Sequence, residues 1–433
     1  RTPTAFNDEE TLVGQPDAAR PASIGSSDDV IYPLYKPETG IELYKLTSGG
    51  AGVQLLADIT PGPGHTDIEF FKKTSTHIYY MITSPIYGKE LWVTDGTPTG
   101  TKLYYDFAPG IEDGEYFGDS AVLNNKLFFG VRNSAGYNQI IATTGDPTSH
   151  EVIFTYNATT DGGFFDLELN AIVSGNLKFF ASQFSTLQNL LFTSDGTVAG
   201  TSFETFDMWG MQIRSQTMAA TASGDLIFSC YFDFATGEEP CISDGTEAGT
   251  NYLKNITTTG SFNDSWPKNF KSFGGEVFFI ANGDLEGLEL WKTDGTTVGT
   301  VIVKDQVAGS KSGAIDYFIR GTDLIVEARS NSVEGFELYE SDGTVGDINL
   351  VMDIFPGNST SKIEEVTVVG TKAFFTANNG TNGDELWVTE GTPGTTQMVK
   401  DLTTGLTSTP ISDLVDVNGR LYFYADDGTG GAL

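Results

Sequence analysis

The chain has 433 residues, with 58 Asp or Glu against 24 Lys or Arg, so its formal net charge is −34. Such a charge repels phosphate backbones, which argues against nucleic acid as a partner. The sequence contains no run of about 18 apolar residues, and we therefore expect no membrane span.

The chain opens with a segment rich in Pro, Ala, Gly, Ser and acidic residues, and we expect residues 1–26 to form an extended lead-in. Three strand-like runs follow, at 29–34, 41–45 and 53–59. They match the second, third and fourth strands of a four-stranded unit. Two runs at the other end, 411–417 and 420–424, match a first and a second strand.

Between these ends, one phrase recurs about every 49 residues. Its best copies are Glu90-Leu-Trp-Val-Thr-Asp-Gly-Thr, Glu289-Leu-Trp-Lys-Thr-Asp-Gly-Thr and Glu385-Leu-Trp-Val-Thr-Glu-Gly-Thr. The eight copies begin at positions 42, 90, 139, 190, 239, 289, 337 and 385. A fixed period of this length indicates one supersecondary unit stacked on copies of itself.

The sixth copy shows how such a unit is built. Its strand-like runs are 267–273, 276–281, 288–293 and 300–305, each bounded by Gly, Asn or Asp. Four antiparallel strands in a unit of this size are typical of a β-propeller blade. We therefore predict an all-β fold, with residues 27–433 forming a single β-propeller of eight four-stranded antiparallel blades. A seven-bladed propeller is the alternative.

We expect the ring to be closed by pairing of the N- and C-terminal strands, since closure would remove free sheet edges. The second C-terminal strand is surplus to that scheme. It either displaces its N-terminal counterpart or begins a ninth unit in a larger chain or assembly.

The phrase closely resembles the ELWxxDGT repeat, a family found mostly in large secreted or surface-attached proteins. The resemblance covers nearly the whole chain and is strongest in copies two, six, seven and eight. It implies an extracellular or cell-surface location, whereas the biochemical role of the family is not well defined. The Asp-Gly-Thr turn is also similar to the Asp-box hairpins of sialidase-type propellers, but that similarity concerns the turn alone.

The aspartates of these turns have a structural explanation. An Asp side chain accepts hydrogen bonds from backbone N–H groups just after it, and Gly adopts the positive φ that a tight loop needs. We therefore predict structural turns at Asp95, Asp195, Asp244, Asp294 and Asp342.

A second pattern lies 16 residues after the start of each phrase, where Glu in the first position goes with Asp in the second, except in the fifth copy, which has Glu239 with Asn255. The pairs are Glu42 with Asp58, Glu90 with Asp106, Glu289 with Asp305, Glu337 with Asp353 and Glu385 with Asp401. Joint replacement in copies three and four suggests that the two positions touch across a hairpin. Facing carboxylates repel, so either a divalent cation such as calcium or hydrogen-bond donors from the loops must compensate.

Two further features suggest an extracellular setting. Cys230 and Cys241 lie symmetrically about a short connection, which suggests a disulfide and hence an oxidising compartment, with two buried thiols as the alternative. Asn-x-Ser/Thr sequons, typical of glycoproteins, begin at Asn157, Asn255, Asn263, Asn358 and Asn379.

The sequence offers little catalytic signal. Its three histidines are scattered, which argues against a histidine-based zinc site or triad. We therefore expect a structural or adhesive module at a cell surface or in a matrix, with protein or glycan partners. The alternatives are a glycan-binding propeller and a polysaccharide-active hydrolase or lyase with an axial site.

Overall fold

A computed structural model describes residues 21–47, 52–148, 150–157, 165–173, 175–183, 188–206, 212–213, 217–231, 236–258 and 263–425. Within these residues the fold is all-β, with 34 strands and one short 3-10 helix. The chain divides into two compact units. The first consists of Arg1–Asn157 and Asp401–Leu433, and the second of Ala158–Lys400.

The first unit contains four antiparallel sheets, and in each the strands follow one another in chain order. Their strands are β1 (Val30–Lys36), β2 (Gly40–Leu46) and β3 (Val53–Ala57); β4 (Asp67–Lys73), β5 (Ile78–Ser84), β6 (Gly88–Thr94) and β7 (Lys102–Tyr105); β8 (Glu115–Leu123), β9 (Lys126–Arg132), β10 (Tyr137–Thr143) and β11 (Glu151–Asn157); β33 (Ile411–Val417) and β34 (Arg420–Ala425).

The second unit contains five sheets, four of them four-stranded and all of them antiparallel. Their strands are β12 (Phe165–Val173), β13 (Asn176–Gln183), β14 (Gln188–Ser194) and β15 (Thr201–Phe206); β16 (Gln212–Ile213), β17 (Ala219–Ala220), β18 (Leu226–Tyr231), β19 (Glu238–Ser243) and β20 (Asn251–Tyr252); β21 (Lys268–Phe273), β22 (Glu276–Gly283), β23 (Gly287–Thr293) and β24 (Val301–Ile302); β25 (Ala314–Arg320), β26 (Asp323–Ala328), β27 (Glu337–Ser341) and β28 (Asn349–Met352); β29 (Glu364–Val369), β30 (Lys372–Asn378), β31 (Asp384–Thr389) and β32 (Gln397–Lys400). The 3-10 helix is Pro393–Thr395.

Neighbouring sheets pack face to face through apolar clusters, because each central strand is buried on both sides. In β22, Ile280 faces the next sheet, where it clusters with Tyr317 and Val326. Phe279, its neighbour in the strand, clusters instead with Ile227 of the preceding sheet. This alternation along one strand joins consecutive repeats into a continuous core.

The predicted ring of eight blades, closed by pairing of the N- and C-terminal strands, is wrong, as is its seven-bladed alternative. The described strands form nine separate small sheets, none of them closed into a ring. β33 and β34 form a two-stranded sheet of their own, and β1 to β3 form a three-stranded one. The other edge of β1 is occupied by the lead-in, where Ala22 and Ile31 exchange two backbone hydrogen bonds of 3.0 and 2.7 Å.

The C-terminal hairpin nevertheless adjoins the N-terminal sheet within the first unit. Val417 is buried in one cluster with Val30, Tyr32 and Tyr44. The side-chain amide of Asn418 also donates a hydrogen bond to the carbonyl of Ser27. The hairpin thus packs on the face of this sheet instead of extending its edge.

Candidate functional site: the repeated buried glutamates

The glutamates that open the phrase are buried, whereas their partner aspartates reach solvent to differing degrees. Glu42, Glu90, Glu239, Glu289 and Glu385 are completely buried, and Glu337 is 4% exposed. Among the aspartates, Asp58, Asp305 and Asp353 are exposed, and Asp106 and Asp401 are half-buried. The predicted pairs therefore do not form two carboxylates facing each other inside a ladder.

The register explains this difference. In the first three-stranded sheet the last pair is Leu43↔Ala57, one position inside Glu42 and Asp58. The second sheet ends in the same way, at Leu91↔Tyr105. Because the ladder stops there, the chain after the aspartate is free to turn back over the glutamate.

In the first repeat, this return loop surrounds the glutamate with donors. The N–H groups of Ile59 and Thr60 donate to the two oxygens of Glu42 at 3.0 and 2.8 Å. The hydroxyl of Thr66 donates to Glu42 Oε1 at 2.6 Å. The carboxylate therefore fastens the return loop to the strand that carries the phrase.

The same shell recurs in the fifth repeat. Ile256 and Thr257 donate their N–H groups to Glu239 at 2.9 and 3.0 Å, and the Ser265 hydroxyl donates at 2.6 Å. A glycine two residues before the glutamate permits the close approach: Gly237 has a φ of +77°, and a Cβ there would collide with the backbone of Asn263.

Glu90 has the same kind of shell, and Glu337 has part of it. Glu90 accepts from the N–H of Ala108 at 3.0 Å and from the hydroxyl of Tyr116 at 2.7 Å. Glu337 Oε2 accepts from the N–H groups of Ile354 and Phe355 at 2.7 and 3.1 Å, whereas its Oε1 is buried without a hydrogen-bond partner. At Glu42, Glu90, Glu239 and Glu337, donors from the loops bond to the carboxylate, which is the alternative to a bound cation. A cation at these sites would have to displace the donors.

Burial raises the pKa of these carboxyl groups, and the hydrogen bonds oppose that rise. The pKa of Glu239 is raised to about 7 by burial, against the lowering effect of Ser265, Ile256 and Thr257. Burial likewise raises the pKa of Glu337 to about 7. The nearby aspartates contribute less, because they lie towards solvent.

Glu289 differs from these four. Neither of its carboxylate oxygens has a hydrogen-bond partner, although the side chain is completely buried. Burial, and next the charge of Asp305, raise its pKa to about 9. The position that supplies a hydroxyl 24 residues after Glu42 is occupied here by Gly313, which has no side chain.

The remaining predicted pair is divided between the two units. Glu385 lies on β31 of the second unit, opposite Ala377. Asp401 belongs to the first unit. In the described part of the chain, no group of three or more His, Cys, Asp or Glu residues is arranged to hold a metal ion. Metal binding by the glutamate–aspartate pairs stays a prediction.

The Asp-Gly-Thr turns share one arrangement. In the sixth repeat, Asp294 Oδ1 accepts from the N–H of Thr296 at 2.8 Å and from its hydroxyl at 2.7 Å. These two bonds lower the pKa of Asp294. The turns at Asp95, Asp195, Asp244 and Asp342 have the same pair of bonds, to Thr97, Thr197, Thr246 and Thr344.

Cys230 and Cys241 are joined by a disulfide with a Cα–Cα distance of 5.9 Å. They are not directly opposite, because Cys230 pairs with Glu239, and Phe228 pairs with Cys241. The bond therefore runs diagonally across β18 and β19, inside a cluster that contains Phe180 and Leu191.

Sequence reasoning missed three kinds of residue. One is the residue whose hydroxyl donates to the phrase glutamate. The available signal was a Ser, Thr or Tyr 24 or 26 positions after that glutamate. Another is the hydroxyl pair that brackets the turns at Asp95, Asp195, Asp244 and Asp294, such as Thr293 with Thr300 at 2.8 Å. The third is Glu327 on β26, whose pKa is raised to about 7 by burial and by Asp316 on the adjacent strand.

Comparison with known proteins identifies relatives in fold alone. No family model matches the chain, so the resemblance to the ELWxxDGT repeat stays a prediction. No curated protein matches it either. Among the described residues, no helix has the length and apolar character needed to cross a bilayer.

Solved structures that resemble the chain are described as peptidases and hydrolases. Dipeptidyl peptidase 4 from Porphyromonas gingivalis is 11% identical with a TM-score of 0.55, over 94% of this chain and 64% of that one. Puromycin hydrolase is 14% identical with a TM-score of 0.39, over 83% and 58%. Prolyl oligopeptidase B from Galerina marginata is 10% identical with a TM-score of 0.43, over 83% and 55%. The chain thus spans less than two thirds of each of these proteins.

These comparisons correct the expected function. The all-β, β-propeller-like fold, with its four-stranded sheets, has neighbours among peptidases. The structural or adhesive module, with its glycan-binding and polysaccharide-active alternatives, was therefore a wrong expectation. It failed because the repeated phrase encodes buried contacts and turns, which fix how a sheet is built but carry no information about a ligand.

Proposed function

We propose that this chain is a β-propeller-like domain that accompanies a peptidase catalytic domain and binds the peptide substrate. The observation that carries the proposal is the likeness to dipeptidyl peptidase 4, which extends over 94% of this chain and 64% of that protein. In this proposal the domain receives the peptide, and a separate catalytic domain cleaves it.

The charge of the chain suggests which peptides it receives. With 58 acidic and 24 basic residues, the protein attracts cations and repels anions. Peptides rich in Lys and Arg are therefore the proposed preferred ligands. Their association should weaken as salt screens the attraction.

We also propose that the protein works in an oxidising, extracellular compartment. The Cys230–Cys241 disulfide supports this location, because structural disulfides persist where thiols are not kept reduced. Of the sequons, those at Asn255 and Asn358 have exposed side chains, and we propose these two as the glycan acceptors.

The test is fluorescence anisotropy with labelled ten-residue peptides of equal length and net charge +3, 0 or −3. We expect saturable binding of the cationic peptide, weakened at 0.5 M NaCl, and at least tenfold weaker binding of the anionic one. Absence of saturable binding below 1 mM for all three would contradict the proposal. Cleavage of the peptides by the purified chain, detected by mass spectrometry, would contradict the division of roles.

A further inference from the structure

One arginine of the second unit is held in position without an acidic partner. Arg329 directly follows β26, and its backbone N–H donates to the carbonyl of Gly313 at 2.9 Å. Its side-chain Nε donates to the carbonyl of Ser312 at 2.7 Å, and its guanidinium lies 4.6 Å from the centroid of the Phe336 ring. These contacts restrict the orientation of the guanidinium but use only its Nε donor. Within the part of the chain that the structure describes, its two terminal nitrogens have no acceptor.

Two exposed lysines come from the loops beside this arginine. Lys311 lies in the connection from β24 to β25, directly before the serine to which Arg329 Nε is bonded. Lys362 lies in the connection from β28 to β29, directly after Ser361, whose N–H donates to the carbonyl of Phe336 at 3.0 Å. The fold therefore brings the three residues to the same end of two neighbouring sheets. We refer to Lys311, Arg329 and Lys362 as the basic patch.

The charges of the basic patch are not neutralised by ion pairs. Other basic side chains of this acidic protein pair with carboxylates, as Lys89 does with Glu69 at 2.8 Å. Among the described residues, no side chain of the basic patch forms a salt bridge. Glu334, which lies in the same connection as Arg329, accepts a hydrogen bond from the hydroxyl of Ser330 at 2.7 Å instead. A guanidinium that is positioned but unpaired is suited to an anion from outside the chain.

We propose that the basic patch binds the C-terminal carboxylate of the peptide that this domain receives. This inference rests on the proposed function, because it places one end of that peptide. The terminal NH2 groups of Arg329 donate to the carboxylate oxygens, and Lys311 and Lys362 add positive charge around them. A local positive patch also allows a protein of net charge −34 to hold the negative end of a peptide whose side chains are cationic.

Fluorescence anisotropy of the full chain with two matched peptides tests the proposal. Both have the same sequence, with several lysines and a label at the N-terminus, and one ends in a free carboxylate whereas the other ends in an amide. The amide carries one more positive charge, so attraction by the acidic protein alone would make it the tighter ligand. We expect the free acid to bind about tenfold more tightly, because only a carboxylate accepts charge-assisted hydrogen bonds from Arg329. Equal affinities, or tighter binding of the amide, would overturn the proposal and leave the proposed function intact.

Arg329→Gln should abolish the preference for the free acid and leave the affinity for the amide unchanged within about twofold. Arg420→Gln is the matched control, because it removes one positive charge from an exposed arginine of the first unit, and it should keep the preference. The Lys311→Gln/Lys362→Gln variant changes only exposed side chains and should reduce the preference about threefold, so it keeps the test valid if Arg329→Gln does not fold. A preference that survives unchanged in the variants of the basic patch would contradict the assignment.

Two further probes separate the site from its alternatives. A peptide amide with Asp as its last residue should bind no better than the plain amide, and affinity equal to that of the free acid would contradict recognition of the C-terminus. N-acetylglycine should raise the Tm of the wild type at fixed ionic strength, N-acetylglycinamide should not, and Arg329→Gln should respond to neither. If no peptide binds, the proposed function fails, and this last comparison still decides the proposal, since equal Tm values with the two small probes would overturn it.

Discussion

The hydroxyl that completes the shell of a phrase glutamate comes from the end of the return loop or from the first strand of the next sheet. Thr66 serves Glu42, Tyr116 serves Glu90, and Ser265 serves Glu239. Each bond closes a segment of about 25 residues onto one buried atom. The glutamate is therefore a structural residue, and its conspicuous repetition reflects this repeated closure.

Replacement of Glu42 measures what this closure contributes. In Glu42→Gln the amide NH2 would face an N–H or hydroxyl donor, leaving one buried donor unpaired. We expect a loss of about 2 kcal/mol in the free energy of unfolding, measured by denaturant titration. The control is Glu69→Gln, which breaks a partly exposed ion pair with Lys89 and should cost less than about 1 kcal/mol. Equal losses in the two variants would contradict a special role for the buried shell.

The sequence predicted which residues belong to this region but not how their side chains point. Joint replacement of Glu and Asp indicated adjacency, and the ladder does end next to that pair. The alternation of a strand would place both side chains on one face. Because pairing stops one residue earlier, Asp58 turns towards solvent while Glu42 stays buried. That stopping point depends on the return loop, which periodicity does not reveal.

At the scale of one element, four of the Asp-Gly-Thr hairpins have a glycine five residues after the aspartate. A Cβ on Gly299 would collide with the carboxylate of Asp294. Gly100, Gly200 and Gly249 have the same relation to Asp95, Asp195 and Asp244. In these four turns the aspartate folds over the glycine to reach the threonine, whereas the turn at Asp342 has Asp347 at this position and makes the same two bonds.

A double-mutant cycle isolates this contact. Gly299→Ala should cost about 2 kcal/mol in the wild type, because the collision displaces Asp294 from its bonds with Thr296. In an Asp294→Ala background the same change should cost less than half as much, since the obstacle is gone. Additive losses in the free energy of unfolding would show that the glycine serves another purpose.

The disulfide shows how a correct residue pair can be inferred from an incorrect register. The symmetric spacing of Cys230 and Cys241 suggested that they face each other across the hairpin. Ile280 and Trp291 occupy the same two positions in the sixth copy. In the structure Ile280 pairs with Leu290, and Trp291 pairs with Phe279. The cysteines are diagonal neighbours instead, and one face of the hairpin holds both.

Reduction of this bond should destabilise the second unit. A loop of about 12 residues corresponds to about 3 kcal/mol on the chain-entropy scale. We expect guanidinium unfolding, followed by fluorescence, to shift to lower denaturant after treatment with a reductant. A Cys230→Ala/Cys241→Ala variant is the control and should not respond to the reductant. An unchanged midpoint in the wild type would contradict a stabilising disulfide.

At the scale of the molecule, the period of the phrase predicted the strand content but not the closure. Of the nine sheets, six are simple four-stranded ones in chain order, as the period implies. Closure depends on whether the edge of β1 is free, and Ala22 in the lead-in occupies it. Because the Ala22–Ile31 bridge occupies this edge, the C-terminal hairpin packs on the face of the N-terminal sheet and does not pair with its edge. The bridge lies outside the repeats, so the repeat pattern could not predict it.

The buried carboxyl groups also determine how stability depends on pH. The pKa values of Glu239, Glu327 and Glu337 are raised from 4.5 to about 7, chiefly by burial. Since the folded state binds these protons more tightly, their stabilising effect is complete below pH 4.5 and is lost as the pH rises towards 7. The turn aspartates act oppositely: the pKa of Asp294 is lowered from 3.8, so its contribution is lost as the pH falls below that value. Stability should therefore be greatest between about pH 4 and 5.

We predict a higher Tm at pH 5 than at pH 8. Added salt separates the effect of the buried carboxyl groups on Tm from that of repulsion between surface charges. The net charge of −34 also destabilises the protein as the pH rises, but 0.5 M NaCl screens that surface contribution. The difference that survives in high salt belongs to the buried carboxyls, which solvent ions do not reach. Glu327→Gln, which removes one of these groups without changing its shape, should reduce the surviving difference. A Tm that rises from pH 5 to pH 8 in high salt would mean that these glutamates are ionised in the folded protein at no cost, contrary to their burial.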